Sequence, residues 1–258
     1  MKLYFHYLSM HLKSQMQYRV SFFLTLIAQG LAACTWVFGL WALMDRFQKI
    51  NGFHFGEVLL CFSVMNLAFS LTECFMAGVD HFPALISRGE FDRILLRPHN
   101  AMLQVLCAQI DFARFGRIIT AAAALAYAIP ASGVVWNPAK VILLVLMLLA
   151  GVCIFTGTFW LGASLSFFFI EGIECMNIFT YGMREFGAYP FIVYGQTLLH
   201  FFTFVVPFAA VQYYPLLFLL GKSDSLLYYF SPLLACLFLV PCALLWRIGV
   251  RHYQSAGS

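Results

Sequence analysis

Long apolar runs alternate with short polar stretches along this chain, and the alternation predicts a bundle of membrane-spanning helices. About 20 apolar residues in a helix cross the hydrocarbon core of a bilayer. Six runs approach or exceed that length, and we predict spans over 20–44, 57–78, 108–130, 141–170, 191–206 and 226–246. The sequence 1–258 is then a single all-α, polytopic membrane domain.

Residues 1–19 are too polar to span a bilayer, yet they have two distinct faces. One face is apolar, with Leu3, Tyr4, Tyr7, Leu8 and Leu12, and the other is basic, with Lys2, His6, Lys13 and Arg19. This pattern is typical of a helix that lies in the interface of an anionic leaflet. We predict such an interfacial helix; the alternative is a frayed basic N-terminus.

The third span carries charges in an unusual place. Residues 101–129 form one continuous helical pattern, but Asp111, Arg114 and Arg117 fall in its first half. Two interpretations remain open. The arginines extend to the cytoplasmic surface, or the three charges line the path or a wet interface between helices. In the second span, Glu73 is within reach of the membrane surface by the same argument.

Two prolines interrupt the fifth apolar block. Pro207 and Pro215 each remove a helical N–H and clash with the preceding turn, so one straight helix does not accommodate both. We predict a span that ends near 206 and a re-entrant segment over 207–220 near the outer surface.

Composition agrees with a membrane protein and excludes several functions. The chain is 62% hydrophobic and only 10% charged, whereas soluble domains carry roughly 25% charged residues. It contains no GxxxxGK[ST], HExxH or GxSxG motif, and its eight cysteines form no CxxC. We predict no catalytic residues, metal site or disulfide framework. The net charge of +4 is too small and too dispersed to indicate nucleic acid binding.

Six spans place both termini on one side of the membrane. That side, with the loop at 80–100, the start of the third span and the loop at 171–189, holds eleven of the 15 lysines and arginines, and the opposite loops hold four. Cytoplasmic loops carry the excess of these residues. We therefore predict that both termini are cytoplasmic.

The charged stretch 80–100 lies between two apolar runs. Ser87 and Glu90 have the spacing of a capping box, and Phe91, Ile94 and Leu95 fall on one face of the helix that would follow. Pro98 disfavours helical geometry at the residue before it, so we predict a helix of about two turns. An ordinary solvated loop is the alternative.

The middles of spans one, two, four and six lack charged side chains. Ion-coupled carriers and proton pumps generally need ionisable groups there. Energy for transport would therefore enter from a partner, and the two charged loops are where a soluble partner would bind.

The stretch 88–98, RGEFDRILLRP, resembles the RG-x-[FL]-D-x-x-L-x-[RK]-P signature of ABC-2 type permeases. More specifically, it resembles the small six-span branch related to viologen and daunorubicin exporters. Later segments are similar to the fifth-span region of that branch: Tyr189-Pro190, Val206-Pro207-Phe208-Ala209 and Tyr214-Pro215. The resemblance covers essentially the whole chain.

The resemblance implies the permease subunit of an exporter in the bacterial cytoplasmic (inner) membrane, with 1–19 as an elbow helix. Two permeases, identical or related, would pair, and separate cytoplasmic ATPases would bind ATP and Mg²⁺, with no cofactor in this chain. The implied coupling helix comprises Arg88, Gly89, Glu90, Phe91, Asp92, Arg93, Leu95, Arg97 and Pro98. A second cytoplasmic contact would comprise Glu171, Glu174, Arg184 and Glu185. The abundance of Phe, Met and Leu favours a hydrophobic or amphipathic substrate.

Two other classes of protein remain. A self-contained secondary carrier or channel would transport substrate without ATP. A scaffold membrane protein would co-purify with no ATPase, and substitutions in 88–98 would leave transport unchanged.

Overall fold

The computed structural model describes residues 2–47, 49–169 and 173–253. These residues form α-helices and short 3-10 turns, and their one β interaction is an isolated bridge between Ile50 and Phe53. Within these described residues, five helices are long and apolar enough to cross a membrane, and a bent pair of shorter helices would make six. The predicted all-α, polytopic membrane fold is confirmed.

The first half of the chain contains one helix of moderate length, two long helices and then a series of short ones. They are α1 Lys2–Gln15, α2 Arg19–Phe47, α3 Phe55–Phe75, α4 Ala77–Asp80, α5 Phe82–Ser87, α6 Phe91–Leu95 and α7 Ala101–Ala108. A 3-10 turn at Met16–Tyr18 joins α1 to α2 without a non-helical residue.

The second half begins with two long helices. They and the helices after them are α8 Phe115–Ala131, α9 Pro138–Leu165, α10 Ile173–Phe186, α11 Gln196–Phe204, α12 Phe208–Leu219, α13 Leu226–Ala235 and α14 Leu239–His252. Asn137 caps α9, since its side chain accepts a 2.8 Å hydrogen bond from the Lys140 amide, and Pro138 suits the first helical position.

Helix α3 lies at the centre of the bundle, and α9 packs beside it. Most of α3 is buried, and Phe69 packs edge-on against Phe155 of α9 with ring centroids 5.1 Å apart. Small residues allow the two helices to approach closely: a Cβ on Gly151 would lie 2.8 Å from the Cβ of Ala68. Lipid tails are as apolar as the side chains of the helices, so the hydrophobic effect does not drive membrane helices together. Close packing of this kind holds them in contact instead.

The two ends of the bundle hold different parts of the chain. At one end, the His11 ring lies 3.0 Å from the Cys107 carbonyl oxygen and Tyr253 packs on Phe91 at 5.0 Å. We call this the terminal end. At the opposite end, Lys222 donates to the Gly52 carbonyl at 3.3 Å.

The third predicted span is not the continuous helix expected over 101–129. Helix α7 ends at Ala108, residues 109–111 are not helical, and a 3-10 turn at Phe112–Arg114 leads into α8. The break persists because other segments bind its backbone: Gly78 donates to the Gln109 carbonyl at 3.0 Å.

The region around the predicted 191–206 span is also not one straight helix. Tyr181 of α10 lies beside Glu73 near the terminal end of α3, and Asn51 at the opposite end donates to the Ile192 carbonyl at 3.4 Å. The segment from α10 to Ile192 therefore runs along α3 between the two ends.

Helices α11 and α12 then form a hairpin bent by 111°. The chain enters it near Ile192 and leaves it near Lys222, and both residues contact the 51–57 region of the opposite end. Gln212 holds the hairpin against the preceding segment by donating to the carbonyls of Gly187 at 2.7 Å and Tyr189 at 2.8 Å. The hairpin, residues 196–219, therefore includes most of the predicted 191–206 span together with most of the 207–220 segment, and the re-entrant course of that segment stays a prediction.

Candidate functional site

A buried carboxylate with two arginine partners lies near the terminal end of α3. Glu73 is only 2% exposed, and an unpaired charge in such a position costs several kcal/mol. Arg117 donates to its Oε2 at 2.7 Å, and Arg114 forms an ion pair with its Oε1. The interpretation in which these side chains extend to the membrane surface is wrong, because all three turn inward to one another.

The break in the third span positions these arginines. Asp111, at the end of the break, accepts a 2.9 Å hydrogen bond from Arg114 Nε and caps the 3-10 turn by accepting from the Ala113 amide. Asp111, Arg114 and Arg117 therefore belong to one charged cluster, whose fourth member is Glu73. In an uninterrupted helix over 101–129, Asp111 would be an interior residue and could not cap the 3-10 turn.

Helix α1 supplies the side chain that stabilises the break. Gln15 donates to the Ile110 carbonyl at 2.7 Å and accepts from the Phe112 amide at 3.0 Å. Buried backbone groups without partners are costly, so this bidentate contact replaces the hydrogen bonds that a continuous helix would have made.

Helix α10 joins the cluster through Tyr181. Its hydroxyl donates to Glu73 Oε1 at 3.2 Å and lies 3.4 Å from Asp80 Oδ2. Asp80, at the end of α4, is mostly withdrawn from solvent, and burial raises its pKa above the ordinary value. The cluster thus connects α3, α4, α8 and α10.

Arg184 lies one turn further along α10, inside the bundle. Its guanidinium carbon is 5.4 Å from the ring centroids of both Trp36 and Phe69, and it pairs with Glu185 at 2.9 Å. Arg184 and Glu185 therefore belong to helix α10 and not to a loop, and their role as a cytoplasmic contact stays a prediction. Arg184 and Arg117 both line a crevice of about 40 Å³, which has room for a water molecule and is far below the volume of a typical ligand pocket.

The side-chain contacts above do not include Glu171 and Glu174, the other two residues of the predicted second cytoplasmic contact. Glu171 lies outside the described residues. Glu174 is in α10, where the described side chains begin at Thr180.

The predicted capping box in the 88–98 segment is absent. Ser87 is the last residue of α5, and its hydroxyl donates to the Ala84 carbonyl at 2.9 Å. Gly89 has a φ of +67°, a left-handed conformation that glycine adopts without strain. The resulting turn separates Ser87 from Glu90, and the helix that follows, α6, has only five residues instead of two turns.

Phe91 anchors α6 to the bundle. It is fully buried, and its ring centroid lies 5.1 Å from Phe82, 5.5 Å from Phe167 and 5.0 Å from Tyr253. Trp246 of α14 completes the group at 4.9 Å from Phe82. Edge-to-face pairs at these distances are favourable beyond the area they bury.

The other side of this segment is exposed. Leu95 is 42% and Leu96 is 85% exposed, so Leu95 does not share the buried face of Phe91 and Ile94 as predicted. The remaining exposed side chains around them are Arg88, Glu90, Arg93, Arg97 and Pro98. Asp92 is half-buried. An apolar patch surrounded by arginines is thus displayed at the terminal end.

Sequence reasoning missed the roles of Glu73 and Tyr181. The available signal was the position of Glu73 within an apolar run, because a carboxylate at that depth requires a partner. Nothing in the local pattern pointed to Tyr181, which is 108 positions away.

Comparison with known proteins matches this chain to one protein family. A family profile described as ABC-2 family transporter protein matches residues 31–257. No curated protein and no solved structure matches the chain.

Proposed function

This chain belongs to the ABC-2 transporter family, and on that premise we propose that its 88–98 segment docks on a separate cytoplasmic ATPase. The chain is a multi-pass membrane protein and a permease component of an ABC transporter. The family implies ATPase partners. The docking segment, the direction of transport and the substrate are the proposed parts.

The two-sided structure of the segment carries the proposal. Phe91 fixes α6 to Phe167, just after α9, and to Trp246 of α14, while Leu96 at the end of α6 is 85% exposed. Exposed apolar residues with a polar rim mark interaction surfaces, and arginine is enriched at such interfaces. A partner that binds Leu95 and Leu96 would therefore move a segment that is firmly attached to the spans.

Hydrogen bonds connect the segment to the charged cluster. Gln104 of α7 donates to the carbonyls of Ile94 at 3.1 Å and His99 at 3.0 Å. Helix α7 leads directly into the break at 109–111, which holds Asp111 and Arg114. A displacement of α6 would thus be transmitted through α7 to the ion pairs of Glu73.

The same arrangement supports the remaining parts of the proposal. ATP and Mg²⁺ would be bound by the ATPase, and both termini would lie in the cytoplasm of a bacterium with the protein in its inner membrane. Helix α2 has an extensive exposed apolar face, which suits pairing with a second permease, identical or related. The abundance of Phe, Met and Leu in the chain supports a hydrophobic or amphipathic substrate, and the family resemblance supports export.

One observation favours a second candidate, the self-contained secondary carrier. The cluster of Glu73, Arg114 and Arg117 is the kind of buried ionisable group that ion-coupled carriers use. Gradient-driven, ATP-independent transport by proteoliposomes that contain this chain alone would establish that function and remove the need for a motor.

The docking surface is tested by Leu96→Asp in the tagged, full-length chain. We expect at least about tenfold less co-purified ATPase and a matching loss of transport, since a charge would replace an apolar contact at the centre of the patch. The matched control is Leu226→Asp, a leucine 70% exposed at the opposite end. Equal ATPase recovery with both variants and the unchanged chain would refute the assignment.

A further inference from the structure

A groove of about 620 Å³ opens between α7, α9 and α14 at the terminal end. It is distinct from the charged cluster and from the exposed patch on α6. Its lining divides into an apolar part and a basic part: Met102, Leu103 and Leu106 on one side, and Trp160, Arg247 and Arg251 on the other.

The second part of the lining contains two guanidinium groups and one indole N–H. Arg247 and Arg251 are four residues apart on α14, so they lie on the same face, and both are exposed. The described residues provide neither with a salt bridge. Trp160 Nε1 is buried and lacks a hydrogen-bond partner among the described residues, although a buried indole N–H normally has one.

The apolar part continues onto the outer surface of the bundle. Leu244 and Ile248 of α14 are exposed next to Arg247, and Leu103 of α7 is exposed on the facing helix. In a membrane protein, exposed leucine and isoleucine at this position face acyl chains. The groove therefore offers hydrocarbon contacts beside two guanidinium groups that form no salt bridge with the described residues.

We propose that this groove binds an anionic phospholipid of the adjoining leaflet. Arg247 and Arg251 would hold the phosphate, since guanidinium groups bind phosphate oxygens through paired N–H donors. Trp160 Nε1 would donate to the headgroup or ester region, and the acyl chains would lie along Met102, Leu103 and Leu106. Basic pockets between membrane helices recognise anionic headgroups in this way.

The position of the groove places the lipid against helices that hold the 88–98 segment. Gln104 of α7 binds the carbonyls of Ile94 and His99. Trp246 of α14 lines the groove and also packs on Phe82 and Phe91. The lipid site is nevertheless independent of the docking proposal, because its occupancy can be measured on this chain without an ATPase.

The test is lipid retention by the purified full-length chain, measured by native mass spectrometry. Phosphatidylglycerol and phosphatidylcholine with identical acyl chains are the two probes, and the variant is Arg247→Gln with Arg251→Gln. The expected result is preferential retention of phosphatidylglycerol by the unchanged chain and roughly 30-fold weaker retention by the variant, from about 1 kcal/mol per arginine.

The matched control, Arg46→Gln with Lys49→Gln, removes the same charge from exposed positions outside the groove and is expected to keep the preference. Equal loss in both double variants would overturn the proposal, since it would show general surface electrostatics. Absence of any preference in the unchanged chain would also overturn it. So would displacement of the lipid by an equal concentration of glycerophosphoglycerol, which has the headgroup but no acyl chains.

Discussion

Arg117 and Glu73 form a 2.7 Å hydrogen-bonded ion pair across 44 positions of the chain. The carboxylate is 2% exposed, and Arg114 binds its other oxygen. Two guanidinium groups on one buried carboxylate provide the hydrogen bonds that make burial of the charge tolerable. The pair therefore fixes α8 against α3 just beyond the break in the third span.

Glu73→Gln should destabilise the protein strongly. The substitution preserves the size of the side chain but removes the counter-charge that Arg117 pairs with and leaves Arg114 with Asp111, and breaking such a buried pair costs about 3–5 kcal/mol. The measurement is the apparent Tm of the purified protein in detergent. Lys222→Gln is the control, because it breaks a more exposed pair with Glu57 and should cost no more than about 1 kcal/mol. Similar Tm values for the two variants would contradict the role given to Glu73.

Gln15→Ala should loosen the break in the third span. The change leaves the Ile110 carbonyl and the Phe112 amide without their partner, and an unsatisfied buried group costs about 1–3 kcal/mol. Hydrogen exchange in a peptide that contains Phe112 should become faster by about tenfold or more. Ser14→Ala alters the exposed neighbour and should leave that exchange unchanged. Unaltered protection in the Gln15 variant would show that the break does not depend on α1.

Gly116→Ala should separate α2 from α8. A Cβ at this position would overlap the Leu26 carbonyl oxygen and lie 2.9 Å from the Gly30 amide nitrogen. Overpacking against backbone costs about 1–3 kcal/mol, so the apparent Tm should fall. Gly39→Ala, in the same α2, meets none of the described atoms within 4 Å and should raise stability by roughly 0.5–1 kcal/mol. A neutral Gly116 variant would refute the close contact.

Phe91→Ala should release α6 from the bundle. Removing a fully buried phenylalanine costs about 3–5 kcal/mol, and here the loss falls on a five-residue helix with little other anchorage. Limited trypsin cleavage at Arg88 and Arg93 should become more than about tenfold faster, since proteolysis follows the population of the open segment. Leu96→Ala, on the exposed side, should cleave at the original rate. An unchanged digestion pattern for the Phe91 variant would rule out its anchoring role.

The class of fold was predictable because it depends on local composition. Apolar runs with few charges give α3 and α9 directly, and Asn137-Pro138 marks where α9 begins. Phe91 was likewise identified from the periodicity of its own segment. These features depend on interactions between near neighbours in sequence.

The errors concern residues whose partners are distant. Helix α10 appears polar because of Arg184 and Glu185, yet Arg184 lies between Trp36 and Phe69, which come from α2 and α3. The break at 109–111 contains no proline or glycine, and its stabilising residue, Gln15, is 95 positions away. Local pattern cannot reveal a partner that only the tertiary fold supplies.

The proposed coupling is tested most directly by a photo-crosslinking amino acid at position 96 in living cells, with position 226 as the control. The account predicts that position 96 captures a cytoplasmic ATPase with a GxxxxGK[ST] motif and that position 226 does not. Labelling of position 96 by a membrane-impermeant reagent from outside the cell, or equal capture at the two positions, would contradict it.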